Sequence, residues 1–195
     1  MLAKSVDILS YPVTPVPPSI KVRLDYASTS HVQAGIRLHS LLSRIGDSHD
    51  VDRVIADAVK HGMVTDDPGD PCGIDNVNAC VREPILLGEG RVAAWFDPAN
   101  KVYSERTITA AGKWWGEIKN QRPDRIVRRP DGQILVIDYK SGERRDTKYC
   151  RQVQEYIDKL RAIFPDTPIA GRIWYVTHHL IIDETGTTLT NEENE

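Results

Sequence analysis

The feature that most constrains this chain is the stretch RPDRIVRRPDGQILVIDYKSG, residues 122–142. Pro130-Asp131-Gly132 is a turn triplet: Pro presets φ, Asp can bond its own backbone and Gly tolerates a positive φ. It separates two runs rich in β-branched residues, so 124–140 reads as a β-hairpin. The second strand carries Ile134-Leu135-Val136-Ile137, and a strand that apolar belongs in a core. Yet it runs straight into Asp138-Tyr139-Lys140, while Asp124 stands at the start of the neighbouring strand. A fold containing this hairpin must place two carboxylates and an ammonium at one end of its sheet.

The surrounding pattern supplies the other layers. DYASTSHVQAGIRLHSLLSRIG reads as a helix capped by its Ser/Thr cluster, with a stripe of Ile36, Leu38, Leu41, Leu42 and Ile45, ended by Gly46. DVDRVIADAVKHG is a second helix, with Asp50 or Asp52 near its start and Gly62 after its end. Residues 65–76 form a loop, and 77–95 are mostly helical but interrupted by Pro84 and two glycines. KVYSERTITA reads as a strand, and DTKYCRQVQEYIDKLRAIF as a helix capped by Asp146 or Thr147, closed by Pro165. Its buried face is Tyr149, Val153, Tyr156, Ile157, Leu160 and Ile163. AGRIWYVTHHLIID gives one or two further strands. The order predicts an α/β (α+β) domain with a central mixed sheet flanked by helices. Residues 1–29, with four prolines inside 11–20, read as an extended linker, residues 30–183 as the domain, and 184–195 as an acidic polar tail.

Charge and cysteine content narrow the function classes. The net charge is −3, but residues 119–151 hold ten Lys/Arg against five Asp/Glu, a basic island that suits a polyanion or a salt-bridged surface. Arg125, Arg128, Arg144 and Lys148 are the candidate phosphate contacts. Cys72, Cys80 and Cys150 form no CxxC pair, which argues against zinc or an iron–sulfur cluster and for reduced thiols in the cytoplasm. No apolar run approaches the ~20 residues of a membrane span.

Asp138 and Lys140 are two apart and so share one strand face. With Asp124 across the hairpin, they make either a salt-bridged strand end or a magnesium site, since Mg²⁺ takes one or two carboxylates together with waters and phosphate oxygens. Gly35 and His39 are four apart on the first helix, and Gln152 and Tyr156 four apart on the later one, so each pair shares a helix face.

The ordered set Gly35-x-x-x-His39, Glu105, Arg122-Pro123-Asp124-Arg125, Asp138-Tyr139-Lys140 and Gln152-x-x-x-Tyr156 resembles the RecB-like branch of the PD-(D/E)XK nuclease superfamily. More narrowly, it is similar to the C-terminal nuclease domain of AddA/UvrD-type helicase–nucleases over most of residues 30–178. The resemblance implies a restriction-endonuclease-like core and Mg²⁺-dependent DNA hydrolysis, with Mn²⁺ able to substitute. It implies His39, Asp124, Asp138 and the Tyr139 carbonyl as metal ligands, with Asp124, Asp138 and Lys140 catalytic. Gln152 and Tyr156 would support the site and contact DNA, and Glu105 would act either directly or in support. A helicase domain in the same parent chain and a role in double-strand break repair are implied partners and context. The four-cysteine cluster of some relatives has no counterpart here. Two other readings stand beside it: a catalytically inactive DNA-binding module derived from such a nuclease, and a stand-alone nuclease of a phage or CRISPR-type system. The Trp114-Trp115 pair suggests base stacking or packing.

Overall fold

The computed structural model describes residues 26–88, 91–108 and 121–189. The proline-rich segment up to residue 25, the Trp114-Trp115 pair and residues 190–195 lie outside them.

The hairpin forms as expected. β2 (Arg125–Arg128) pairs antiparallel with β3 (Ile134–Lys140), with Arg125 opposite Ile137. Gly132 takes the positive φ of 93° that the turn requires. β1 (Lys101–Ser104) extends the sheet on one side. On the other, β4 (Ile169–Tyr175) runs parallel to β3, and β5 (Leu180–Asp183) runs antiparallel to β4. The result is one five-stranded mixed sheet in the order β1-β2-β3-β4-β5.

β3 is buried at every position from Ile134 to Tyr139, because helices cover both of its faces. Leu135, Ile137 and Tyr139 enter a core with α1 (Tyr26–Arg44), α2 (Val51–Lys60) and the broken helical segment that follows. Ile134 and Val136 enter a second core with Val153, Tyr156, Ile157 and Leu160 of α6 (Asp146–Ile163). Gly171 makes the close contact of α6 with β4: a Cβ there would lie 2.3 Å from Val153 Cγ1.

The broken segment comprises α3 (Ile74–Val77), a π-helical turn over Asn78–Arg82, α4 (Glu83–Leu86) and α5 (Arg91–Trp95). Pro84 has no N–H for the i−4 bond, and the wider turn before it accommodates that loss. Among the described residues, no helix is long and apolar enough to cross a membrane.

Several expectations need correction. Ile36 is 58 % exposed, and Ala34 takes its place in the buried stripe of α1. The Ser/Thr cluster lies inside α1, which already begins at Tyr26. β1 stops at Ser104 because Glu105 turns to φ 50°; the chain rejoins the sheet edge only at the Ile108–Gln121 bridge. α6 has no side-chain cap, since Asp146 lies within its first turn and its carboxylate bonds Arg144 and the Tyr175 hydroxyl instead. Residues 184–189, expected in the tail, fold back on β5: Asp183 Oδ1 accepts from the Thr185 and Thr187 amides, and Thr188 bridges Ile182. Residues 74–76, expected in the loop, already belong to α3, and the loop before them is organised around Asp70, which accepts from both Arg37 terminal nitrogens at 2.5 and 2.8 Å, from Thr65 Oγ1 and from the Cys72 amide.

Candidate functional site

The β2–β3 register, continued by one pair, sets Asp124 opposite Asp138 at the end of the sheet. There the ladder changes partner. The Tyr139 amide donates to Asp124 Oδ2 at 2.7 Å. Continuing the register by two pairs sets Pro123 opposite Tyr139, and proline has no N–H to offer the Tyr139 carbonyl. Pro-Asp thus ends the regular pairing and holds the Asp124 carboxylate against the β3 backbone.

α1 brings in His39. Gly35, one turn earlier, lies so close to the strand end that a Cβ there would be 2.7 Å from Ser141 Oγ. His39 Nδ1 lies 3.3 Å from Asp124 Oδ1, and the imidazole meets the Tyr139 ring edge-on at 6.0 Å. Burial pulls the His39 pKa down, but the Asp124 contact and the nearby charges of Asp124 and Asp138 outweigh it, and the net shift is upward.

Asp138 points the other way, toward α6. It is only 2 % exposed. Its Oδ2 lies 2.5 Å from Lys140 Nζ, so this buried oxygen is held by a single ammonium, in poor hydrogen-bond alignment. Burial above all, reinforced by the like charge of Asp124, lifts its pKa to about 6 against the opposing pull of Lys140. Lys140 Nζ also sits 4.5 Å from the centre of the Tyr149 ring. On α6, Gln152 Nε2 donates to the Tyr156 hydroxyl at 2.6 Å. Burial lifts the Tyr156 pKa to about 12, and the charges of Asp138 and Asp124 add to the rise.

His39, Asp124, Asp138, Tyr139, Lys140, Gln152 and Tyr156 thus gather at one end of β3. Glu105 joins through its backbone: its amide donates to the Asp124 carbonyl at 3.0 Å, while its side chain lies 3.4 Å from Arg122.

Arg125 is not a phosphate contact. It is fully buried, and its guanidinium donates to the carbonyls of Ile45, Gly46 and Trp95 while stacking 3.9 Å from the Phe96 ring centre. It closes the C-terminal ends of α1 and α5 onto the sheet, where a cation suits the helix dipoles. Of the other candidates, Arg128 and Lys148 are exposed, and Arg144 is paired with Asp146.

Among the described residues, no three His, Cys, Asp or Glu side chains form a ready-made metal cage. A hard cation that keeps most of its waters does not need one. Two carboxylates across a hairpin, one of them buried beside a lysine, are a donor set that suits Mg²⁺ or Mn²⁺. The three cysteines are free; Cys72 and Cys80 are buried in the helical core, Cys150 is part-buried, and none is among these groups. Sequence reasoning missed the Arg125 clamp, whose partners lie 30 and 80 residues away. It also missed the placement of Tyr149 under Lys140. The signal for that was the spacing of 149, 152 and 156, which shares one helix face.

No protein-family model matches this sequence, and no curated protein matches it.

Proposed function

We propose that this chain is a Mg²⁺-dependent DNA nuclease domain with a restriction-endonuclease-like core, acting as an exonuclease beside a helicase motor in the same parent chain. The observation that carries the reading is Asp138, a carboxylate held in a buried site with a raised pKa, paired with one ammonium and opposite a second carboxylate. Such an arrangement is costly for stability and fits a site awaiting a cation. The sequence of elements also supports it: helix, three antiparallel strands, helix α6, then β4 parallel to β3.

In this reading Asp124, Asp138, His39 and the Tyr139 carbonyl hold the ion. When bound, the ion lowers the pKa of water and offsets charge building on the phosphate. Lys140 orients the attacking water and faces the negative charge that develops on the phosphoryl oxygens. Attack at phosphorus breaks the bond to the 3′ oxygen, leaving a 3′-hydroxyl and a 5′-phosphate. The hydrogen-bonded Gln152–Tyr156 pair borders the site from α6.

The test is digestion of linear and circular, single- and double-stranded DNA with Mg²⁺ or Mn²⁺, comparing wild type with Asp138→Ala and Lys140→Ala. The expected result is metal-dependent degradation that falls at least about a hundredfold in each variant. Wild-type protein that cuts no DNA with either ion, or variants that cut equally well, would overturn the reading.

A further inference from the structure

Among the described residues, Lys140 carries the ammonium paired with Asp138, and it ends a strand on a flexible four-carbon stem; Lys148 reaches the Tyr149 ring at 5.9 Å, farther than Lys140. Something must hold that stem once Asp138 is engaged by a cation, because the carboxylate that now sits 2.5 Å away is then shared with a second positive charge. The other group against Nζ is the Tyr149 ring, 4.5 Å from its centre. An aromatic face attracts an ammonium without offering an oxygen that would compete for the metal.

The ring is itself braced. Tyr149 leans on Tyr175 at 6.2 Å between centres. The Tyr175 hydroxyl donates to Asp146 Oδ1 at 2.6 Å and accepts weakly from the Arg145 amide at 3.4 Å. Arg144 locks the other Asp146 oxygen at 2.5 Å. The start of α6 is therefore pinned to the end of β4, and Tyr149 stands one turn inside it.

From this geometry we infer that Tyr149 is a positioning residue for Lys140: its ring holds the ammonium at the site independently of Asp138. The inference rests on the nuclease reading for its kinetic consequence, but not for its geometric one. Loss of the ring frees the amine, and a cation–π contact of this kind corresponds to roughly a 3- to 30-fold change in the population held in place.

Two readouts test it on the full chain. First, amine labelling of Lys140 is followed by mass spectrometry at one fixed pH in wild type, Tyr149→Leu and Tyr149→Phe, with Tyr149→Met as a second ring-free variant if the leucine variant fails to fold. Labelling should rise about 3- to 30-fold in the ring-free variants and stay near wild type in Tyr149→Phe. Second, in DNA hydrolysis kcat should fall by a similar factor with KM unchanged in Tyr149→Leu, and Tyr149→Phe should recover most of the loss. Equal labelling in all variants, or a phenylalanine variant as labile as the leucine one, overturns the inference. If wild type hydrolyses no DNA, the nuclease reading fails while the labelling result still decides the placement of Lys140.

Discussion

Asp138 combines near-complete burial, a like-charged neighbour and one ionic partner that does not meet its oxygen in hydrogen-bond geometry. Its pKa in the folded chain is about 6, above the ordinary 3.8. The sign of the consequence follows from linkage: the folded state binds the proton more tightly, so this residue favours folding below about pH 4 and that contribution is lost as pH rises through about 6. Asp138→Asn should therefore stabilise the metal-free protein at pH 7.5, by at most roughly 3 kcal/mol, and the gain should vanish near pH 4. Chemical denaturation at the two pH values checks it; a variant less stable than wild type at pH 7.5 would refute the strain assigned to this carboxylate. Arg125 is a different case, a buried charge whose two terminal nitrogens donate to three carbonyls, though its Nε has no partner. Arg125→Ala removes three carbonyl contacts and a stacked ring contact, and should cost about 3 to 5 kcal/mol in the same assay with little change in the urea slope.

At the level of elements, the hairpin and most of α6 were legible because their patterns are local, although Ile163, read as part of the buried face of α6, is exposed at the helix end. The turn triplet, the unbroken apolar run and the spacing along α6 each need only neighbours in sequence. What was not legible depended on distant partners. Nothing in RPDRIVRR marks Arg125 as the buried arginine, because its partners are helix ends far away in the chain. The alternation of KVYSERTITA continues past Ser104, but the left-handed turn at Glu105 ends the strand where the Asp124 carbonyl takes its amide. The gathering of His39, Asp124, Asp138 and Lys140 was anticipated by motif order, and Gly35 supplies part of its physical basis by letting α1 approach Ser141. Gly171 does the equivalent for α6. Gly171→Ala pushes a methyl into Val153 and Ile157, and should cost about 1 to 3 kcal/mol. Because α6 carries Tyr149, Gln152 and Tyr156, the same change should also increase amine labelling of Lys140; an unchanged melting temperature would mean that the helix repacks freely.

Over the whole molecule, two groups of titrating residues act in opposite directions. Asp70 is drawn down to about 2, chiefly by its hydrogen bonds from Arg37, so its stabilisation is present above pH 3.8 and is lost as pH falls through about 2. Asp138 and His39 have raised values, so their contributions are lost as pH rises through about 6 and through the upper side of 6.5. Metal-free protein should accordingly be most stable near about pH 4, with its melting temperature falling as pH rises from there toward neutral and as it drops into strong acid. On the proposed reading, a divalent cation should reverse the neutral limb, by binding the ionised carboxylates of the folded state and not the unfolded chain. The most direct test of the central claim, that Asp138 is kept strained for a cation, is the shift in melting temperature on adding Mn²⁺ at pH 7.5. Wild type should rise on the order of 5 °C at saturating ion, while Asp138→Asn, though more stable without metal, should show almost no shift. Equal shifts in the two proteins, or none in wild type, would contradict it.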